Sequence, residues 1–162
     1  MFSQGELVVY KRDVCEIKEI TINKINGKEY YTMVPIDDNS LTIYVPTEDK
    51  SNLIRNIISK DEANKLINKI PMIETLDISS KSLDNEYKNL FESNLLEDLV
   101  TIIKTAYLRN DARISSNKKP VQKDNDSFKK AERLLYNELS ISLGKSFDET
   151  KEYIIKKFEG KV

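Results

Sequence analysis

The chain has 162 residues, of which 39% are hydrophobic and 33% are charged, a composition that supports one moderate core or two small ones. Lysine and arginine number 26 against 27 aspartate and glutamate residues, so the net charge of -1 excludes recruitment of nucleic acid by bulk charge. The absence of histidine excludes imidazole catalysis and histidine metal sites, and a single cysteine excludes internal disulfides and cysteine-rich zinc sites.

Glycine spacing and the first residues exclude two further classes of protein. No two of the four glycines have the spacing of a phosphate-cradling loop, which argues against nucleotide-loop enzymes. Residues 1–6 lack the basic region and apolar stretch of a signal peptide, and the apolar runs are only a few residues long. We therefore expect a cytoplasmic binding protein that is not an enzyme and that uses neither a cofactor nor a membrane.

The first third of the sequence predicts short strands joined by turns. Apolar and β-branched residues fill segments bounded by turn residues, a pattern typical of a small barrel of the SH3 or Tudor type. The predicted strands cover residues 7–10, 14–23, 29–34 and 41–45. Residues 52–58 fit either a helical turn or a further strand.

Two details refine this strand prediction. In the second strand the apolar phase shifts between Ile17 and Ile20, and a shift of this kind predicts a β-bulge because strand side chains alternate between faces. The pair Asn26 and Gly27 predicts a type I′ hairpin turn before the third strand.

The fourth predicted strand alternates between apolar and polar residues. Leu41, Ile43 and Val45 are expected to face inward, while Thr42 and Tyr44 face outward. If this strand lies at the edge of the barrel, its backbone can pair with a strand of another protein, and Thr42 and Tyr44 would contact that partner. The alternative is an ordinary solvated strand face.

From Ser59 onward the apolar period changes to that of helices. Ser59 with Glu62, Asn94 with Glu97, and Ser146 with Glu149 have the spacing of capping boxes that open helices. A short helix is expected over 83–92, and a helix capped by Asp126 or Ser127 is expected to end at Gly144, with the last helix ending at Gly160. The polar stretch 110–125, which contains Pro120, is expected to be a long loop.

These elements predict an α+β fold, with an N-terminal small Tudor-like β-barrel over 1–76 followed by a C-terminal all-helical domain over 77–162. Residues 1–79 contain 10 basic and 13 acidic residues, whereas residues 80–162 contain 16 and 14. The basic excess is concentrated between residues 104 and 133, a stretch that contains nine basic and four acidic residues. The nine are Lys104, Arg109, Arg113, Lys118, Lys119, Lys123, Lys129, Lys130 and Arg133.

The basic stretch, Cys15 and the pairs of adjacent acids each allow a functional or a purely structural interpretation. The bases can neutralise phosphates or be simply solvated, and no aromatic residue between Tyr107 and Phe128 offers a base-stacking platform. Cys15 lies in an apolar strand context and, with no histidine to activate it, is expected to be a core thiol. Adjacent acids such as 37–38 and 97–98 are expected to be surface residues rather than Mg²⁺ ligands.

The order and spacing of several segments resemble the CarD/CdnL family of bacterial transcription regulators. In the predicted barrel these segments are GELVVY at 5–10, VCEI at 14–17, GKEYY at 27–31 and LTIYVP at 41–46. In the helical half they are EYK at 86–88, the helix over 99–109 and FKKAERLLYNEL at 128–139. The resemblance therefore covers nearly the whole chain.

This resemblance implies a Tudor-like domain that binds the β subunit of RNA polymerase. It further implies a helical domain that contacts promoter DNA at the upstream edge of the transcription bubble and modulates the lifetime of the open complex. The two basic polymerase-contacting positions of the family fall near Thr21 and on Tyr44, and neither of these residues is basic here. Pairing through the barrel edge would then use different side chains.

The resemblance also implies positions for DNA contact. The family's tryptophan at the fork of the opened duplex corresponds to Leu83, and this chain has no tryptophan, so an aliphatic wedge is expected there. Lys88 corresponds to a lysine that contacts the DNA backbone. Arg109 and Lys130, from the basic stretch, complete the expected DNA-binding set. The alternative function is a protein-interaction adaptor without DNA contact, and in either case a monomer is expected.

Overall fold

In the computed structural model, which describes residues 1–48 and 51–159, the β-branched start of the chain forms an antiparallel sheet. Among these residues there are five strands, in the order β4-β3-β2-β1-β5, followed by five α-helices and a short 3-10 helix. The strands are β1 (Leu7–Tyr10), β2 (Asp13–Ile22), β3 (Glu29–Pro35), β4 (Ile43–Pro46) and β5 (Ile54–Asn56). The α+β fold class is confirmed, and the ambiguous segment 52–58 contains a strand.

The predicted β-bulge is present in the sheet, whereas the predicted hairpin turn has a different conformation. The register between β2 and β3 shifts between Ile17 and Glu19, which confirms the predicted bulge. The type I′ prediction at Asn26 and Gly27 is wrong, because only Gly27 has a positive φ, of 70°. Two consecutive positive φ values, 46° and 82°, occur instead at residues 11–12, which join β1 directly to β2.

The core of the sheet unit is small and apolar. Its buried members come from the inward-facing positions of β1 to β4 and include the ring of Tyr31, whereas Tyr30 on the opposite face is only half-buried. Phe2 packs edge-on against Tyr31, and its N–H donates to the Tyr31 hydroxyl at 3.1 Å. The buried residues are Val8, Cys15, Ile17, Tyr31, Met33 and Val45.

The helical part of the chain packs its apolar stripes into one core. The helices are α1 (Lys60–Lys69), α2 (Leu83–Glu92), α3 (Leu96–Ser115), α4 (Gln122–Leu143) and α5 (Phe147–Phe158), with the 3-10 helix over Ile70–Met72. Capping boxes form at Ser59 and Ser146 as predicted, and Gly144 ends α4 in the left-handed conformation. The expected stop at Gly160 lies outside the described residues.

Two helix starts and one loop differ from the prediction. Asn94 does not cap α3, which begins at Leu96, and α4 begins at Gln122 rather than after Asp126 or Ser127. Most of the predicted loop over 110–125 is therefore helical, and only residues 116–121 connect α3 to α4. The Asn110 side chain donates a hydrogen bond to the Asn125 side chain at 2.9 Å. This polar pair connects the end of α3 to the start of α4, where neither helix has an apolar stripe.

The compact units divide between Ile57 and Ile58, whereas the sequence pattern predicts a boundary after residue 76. Side chains of α3 and α4 hold the backbone of the segment 58–78 against the helical core. The Glu138 carboxylate accepts from Ile58 N at 3.0 Å, and the Thr105 hydroxyl accepts from Leu76 N at 3.0 Å. Lys104 Nζ donates to two further carbonyl oxygens of the segment, those of residues 70 and 73. Contacts distant in sequence therefore assign α1 to the helical unit.

Candidate functional site

The edge strand β4 exposes unpaired backbone groups. It pairs with β3 on one side, and among the described residues no strand lies along its other side. The N–H of Thr47 donates to the Glu29 carbonyl oxygen at 3.0 Å. Because bonded and non-bonded pairs alternate in an antiparallel ladder, the backbone of Val45 faces β3 while that of Tyr44 faces the open edge. Tyr44 thus offers one N–H and one C=O to a strand of another protein.

The predicted polymerase-contacting residues lie on the outer face of the sheet or beside it. Tyr44 is opposite Thr32, and Thr21 is opposite Tyr30, which places all four side chains on the face turned away from Tyr31. Thr21 and Tyr44 are exposed and two strands apart, roughly 10 Å across the sheet. The structure therefore brings these two predicted residues to one surface.

Thr42 is exposed but lies outside the strand, because β4 begins one residue later than its position. The expectation that Leu41 faces inward is wrong, since 47% of this side chain is exposed. The N–H of Leu41 donates to the Asp38 carbonyl oxygen, which keeps the segment in a turn. Hydrogen bonds from the side chain and then the backbone of Ser40 lower the pKa of the Asp38 carboxyl.

The β2–β3 hairpin exposes aliphatic side chains that the sequence pattern does not predict. Ile22 is 67% exposed and Ile25 is 96% exposed, and neither side chain has the apolar surroundings that its type favours. Ile22 continues the inward-facing alternation of β2 beyond the point where the core ends. The alternating pattern alone could not show this, because it marks the face of a strand and not the extent of the core.

In the helical unit, Arg109 has a structural partner. Its Nε donates to Asp124 Oδ2 at 2.7 Å, and its Nη1 donates to the Ile78 carbonyl oxygen at 3.1 Å. Asp124 is 2% exposed and also accepts from the Tyr87 hydroxyl at 3.0 Å. Burial first, and the Asp124 charge second, raise the pKa of Tyr87. Arg109, expected to bind DNA, therefore neutralises a buried carboxylate as its first role.

The other two residues predicted to bind DNA, Lys88 and Lys130, are exposed on α2 and α4. Lys130 on α4 lies over the Phe91 ring of α2, with 4.5 Å from Nζ to the ring centroid. Lys88 is exposed one helical turn before Phe91. Lys123 lies two turns before Lys130, and its Nζ is 3.2 Å from the Asp84 carboxylate on α2. We call Lys88, Lys123 and Lys130 the α2–α4 face.

Leu83 is buried, with only 4% of its surface exposed. It opens α2 and lies on the same face as Tyr87 and Leu90, which pack into the helical core. A wedge must reach an unstacked base step from the protein surface. The burial of Leu83 therefore favours a core role, and its position gives no support to the aliphatic wedge expected from the sequence.

Reactive groups are few in the part of the chain that the structure describes. Residues 1–48 and 51–159 hold no cluster of three or more acids or cysteines that could bind a metal ion. The Cys15 thiol is buried, and burial together with the charges of Asp13 and Asp37 raises its pKa to about 12. The same residues include no helix both long and apolar enough to span a membrane.

These features describe a sheet unit with an open edge, which can pair with a strand of another protein, and a helical unit with exposed lysines. Residues 2–58 match the family described as the CarD-like/TRCF RID domain. The first unit is therefore a CarD-like/TRCF RID domain, which has a Tudor-like fold, and the resemblance to the CarD/CdnL family is confirmed over these residues. Domains of this family are non-catalytic and bind RNA polymerase, which supports a polymerase-interacting, transcription-related role for the chain. No curated protein matches the chain.

Proposed function

We propose that this protein docks on the β subunit of RNA polymerase through the β4 edge and contacts promoter DNA through the α2–α4 face. In this role it modulates the stability of the open promoter complex at the upstream edge of the bubble. The observation that supports docking most directly is the outward-facing backbone of Tyr44 in a domain of the polymerase-interacting class. A partner strand would exchange main-chain hydrogen bonds with Tyr44, and the neighbouring side chains would select the partner.

The exposed lysines of the α2–α4 face support DNA contact. Lys88 and Lys130 are exposed on neighbouring helices, and Lys123 is held beside them only by a surface ion pair. Exposed lysines can contact phosphates, and such contacts carry no sequence information. A chain of net charge -1 gains little DNA affinity from bulk charge, so tethering to polymerase would supply the effective concentration.

Docking is tested by the substitution Tyr44→Pro, with Tyr44→Ala as its matched control. Proline removes the outward N–H without breaking the β3 ladder, whereas alanine removes only the ring. We expect Tyr44→Pro to weaken binding to purified RNA polymerase at least about tenfold, and Tyr44→Ala to weaken it less. Equal affinities of wild type and Tyr44→Pro, with unchanged thermal unfolding, would contradict docking at this edge.

DNA contact is tested by the lifetime of open complexes. We expect Lys88→Gln and Lys130→Gln to reduce the protein's effect on this lifetime at every promoter, with polymerase affinity unchanged. Lys65→Gln, an exposed lysine on α1, is the matched control for charge. A defect confined to a few promoter sequences would contradict backbone contact by these lysines.

The second candidate function is a protein-interaction adaptor that binds polymerase without touching DNA. The observation in its favour is that Leu83 and Arg109, two of the four expected DNA contacts, serve the helical core. Crosslinking from Lys88 and Lys130 positions to promoter DNA distinguishes the two functions. Polymerase binding without such crosslinks would select the adaptor.

A further inference from the structure

A hollow with a basic lining lies at the C-terminal end of α3. It has a volume of about 280 Å³, close to the lower limit of about 300 Å³ for small-molecule sites. It is separate from the lysines of the α2–α4 face, because none of those three lines it. The lining residues are Ile78, Arg109, Ala112, Arg113, Ser116 and Lys118.

The guanidinium of Arg113 is fixed in place while most of its donors stay open. Its Nε donates to the Lys119 carbonyl oxygen at 2.7 Å. Among the described residues its two terminal nitrogens have no hydrogen-bond or ion-pair partner. A guanidinium held in this way binds a tetrahedral oxyanion through two parallel N–H donors and loses little side-chain entropy in doing so.

The other lining groups add charge, donors and space. Arg109 is anchored through Nε and Nη1, which leaves Nη2 without a partner in the described part of the chain. Lys118 forms no ion pair with any described residue, and Ser116 adds a hydroxyl donor. Ala112 also lines the hollow, and its small side chain takes up little of the space there.

The charge balance of the hollow favours a dianion. Among the described residues three cations line it and no acid does, and the buried Asp124 forms an ion pair with Arg109. A carboxylate ligand would leave part of this charge unbalanced, whereas a phosphate group carries close to two negative charges and several acceptor oxygens. Arg113 and Lys118 also lie near the C-terminal end of α3, where positive charge interacts favourably with the helix dipole. That interaction by itself needs no ligand, so ligand binding is what the experiments below test.

We propose that this hollow binds the terminal phosphate group of a small phosphorylated molecule, since a backbone phosphate of nucleic acid carries only one negative charge. The inference goes beyond the proposed function and does not depend on it, because such a ligand requires no DNA contact. Arg113 and Lys118 are the residues whose charges hold the phosphate, and Arg109 completes the lining from its anchored position.

The primary test is a titration of the full-length, ¹⁵N-labelled protein with pyrophosphate, followed by NMR. We expect saturable shifts at the amides of Arg113, Ser116 and Lys118, and much weaker shifts with acetate. Arg113→Gln is expected to weaken pyrophosphate binding about tenfold, and Lys118→Gln by a smaller factor. Shifts that are absent, or that do not saturate at these amides, would overturn the proposal.

Two further variants separate a shaped site from general positive charge. Ala112→Leu fills the hollow without changing charge and keeps a good helix former, so it is expected to abolish binding while α3 remains folded. Lys119→Gln removes a neighbouring charge outside the lining and is expected to change affinity less than about twofold. Equal losses in Lys118→Gln and Lys119→Gln, with no loss in Ala112→Leu, would contradict a built site. Ala112→Leu and Lys118→Gln keep the test valid if Arg113→Gln disturbs the α3–α4 connection.

The nature of the phosphate ligand is tested by repeating the measurement with a short DNA duplex. If Arg113→Gln weakened duplex binding and pyrophosphate binding by similar factors, the ligand would be a DNA backbone and the proposal of a small phosphorylated ligand would be overturned. A small phosphorylated ligand predicts unchanged duplex binding together with lost pyrophosphate binding. Polymerase affinity and open-complex lifetime, measured on the same variants, show separately whether the proposed function holds.

Discussion

The sheet unit and the helical unit differ in what occupies their interiors. The core of the sheet is made of apolar side chains and one thiol, with Arg12 its one buried charged residue among those described. The helical core also contains buried polar residues, including Asp124 and Glu138, that bond to helices and to the backbone of residues 58–78. The sheet is therefore held by its ladder and apolar burial, whereas the helical unit also needs specific polar pairs.

This difference indicates how each unit can present a function. A sheet whose side chains serve the core still has an edge, and the outward backbone of Tyr44 can pair whatever its side chain is. In the helical unit, Arg109 completes a buried pair, whereas Lys88 and Lys130 remain on the surface. The two lysines therefore present their full charge to a polyanion, while the charge of Arg109 is balanced by Asp124.

The largest expected effect comes from breaking a buried polar pair of the helical unit. Asp124→Ala leaves Arg109 and the Tyr87 hydroxyl without their partner, and we expect a loss of about 3 kcal/mol in the free energy of unfolding. Asp84→Ala is the matched control, since its ion pair with Lys123 is exposed and should change stability by less than about 0.5 kcal/mol. Urea unfolding of the full chain measures both, and similar losses would remove the distinction between buried and surface pairs.

The next effect tests the role of Leu83. Leu83→Ala should destabilise the helical unit by about 2–3 kcal/mol, because it removes a buried side chain from a packed core. Leu83→Met, which nearly conserves volume, should cost less than about 1 kcal/mol. Urea unfolding and polymerase binding are measured on the same samples. A fully stable Leu83→Ala protein that has lost its effect on open complexes would restore the wedge hypothesis.

The buried thiol of the sheet unit predicts a dependence of stability on pH. The unfolded thiol ionises near its ordinary value of 9.0, while the folded thiol stays protonated to about 12, so the unfolded state loses the proton first as pH rises. Stability attributable to Cys15 is therefore complete below pH 9 and falls above it, by about 1 kcal/mol between pH 8 and pH 10. The difference between wild type and Cys15→Ala, measured by urea unfolding at the two pH values, isolates this group. An identical change in both proteins would exclude it.

The smallest effects compare a formed cap with one that the sequence predicts but the structure lacks. Ser146→Ala should cost about 1 kcal/mol, because the Ser146 hydroxyl accepts from Glu149 N at 3.1 Å. Asn94→Ala should cost almost nothing, since Asn94 caps no helix. Thermal unfolding measures both variants. Equal costs would show that the start of α3 is wrongly placed.

Local patterns predicted much of the fold. The 83–92 helix has the predicted bounds, the phase shift in β2 marks a real bulge, and the caps at Ser59 and Ser146 form. Each of these depends on side chains within a few residues of one another, where spacing determines geometry. The end of α3 and the start of α4 were missed because side-chain pairs between the helices, such as Asn110 with Asn125, stabilise turns that have no apolar period.

The sequence by itself determined the α+β order of elements, the apolar faces, the absence of imidazole chemistry and the basic excess of the second half. Only the tertiary structure decided that β4 is an edge, that Leu83 is buried, that Arg109 has a partner in Asp124 and that the units divide at Ile58. The physical reason is distance along the chain. Periodicity shows which face of an element avoids water, but not which distant residue meets that face or which face remains open.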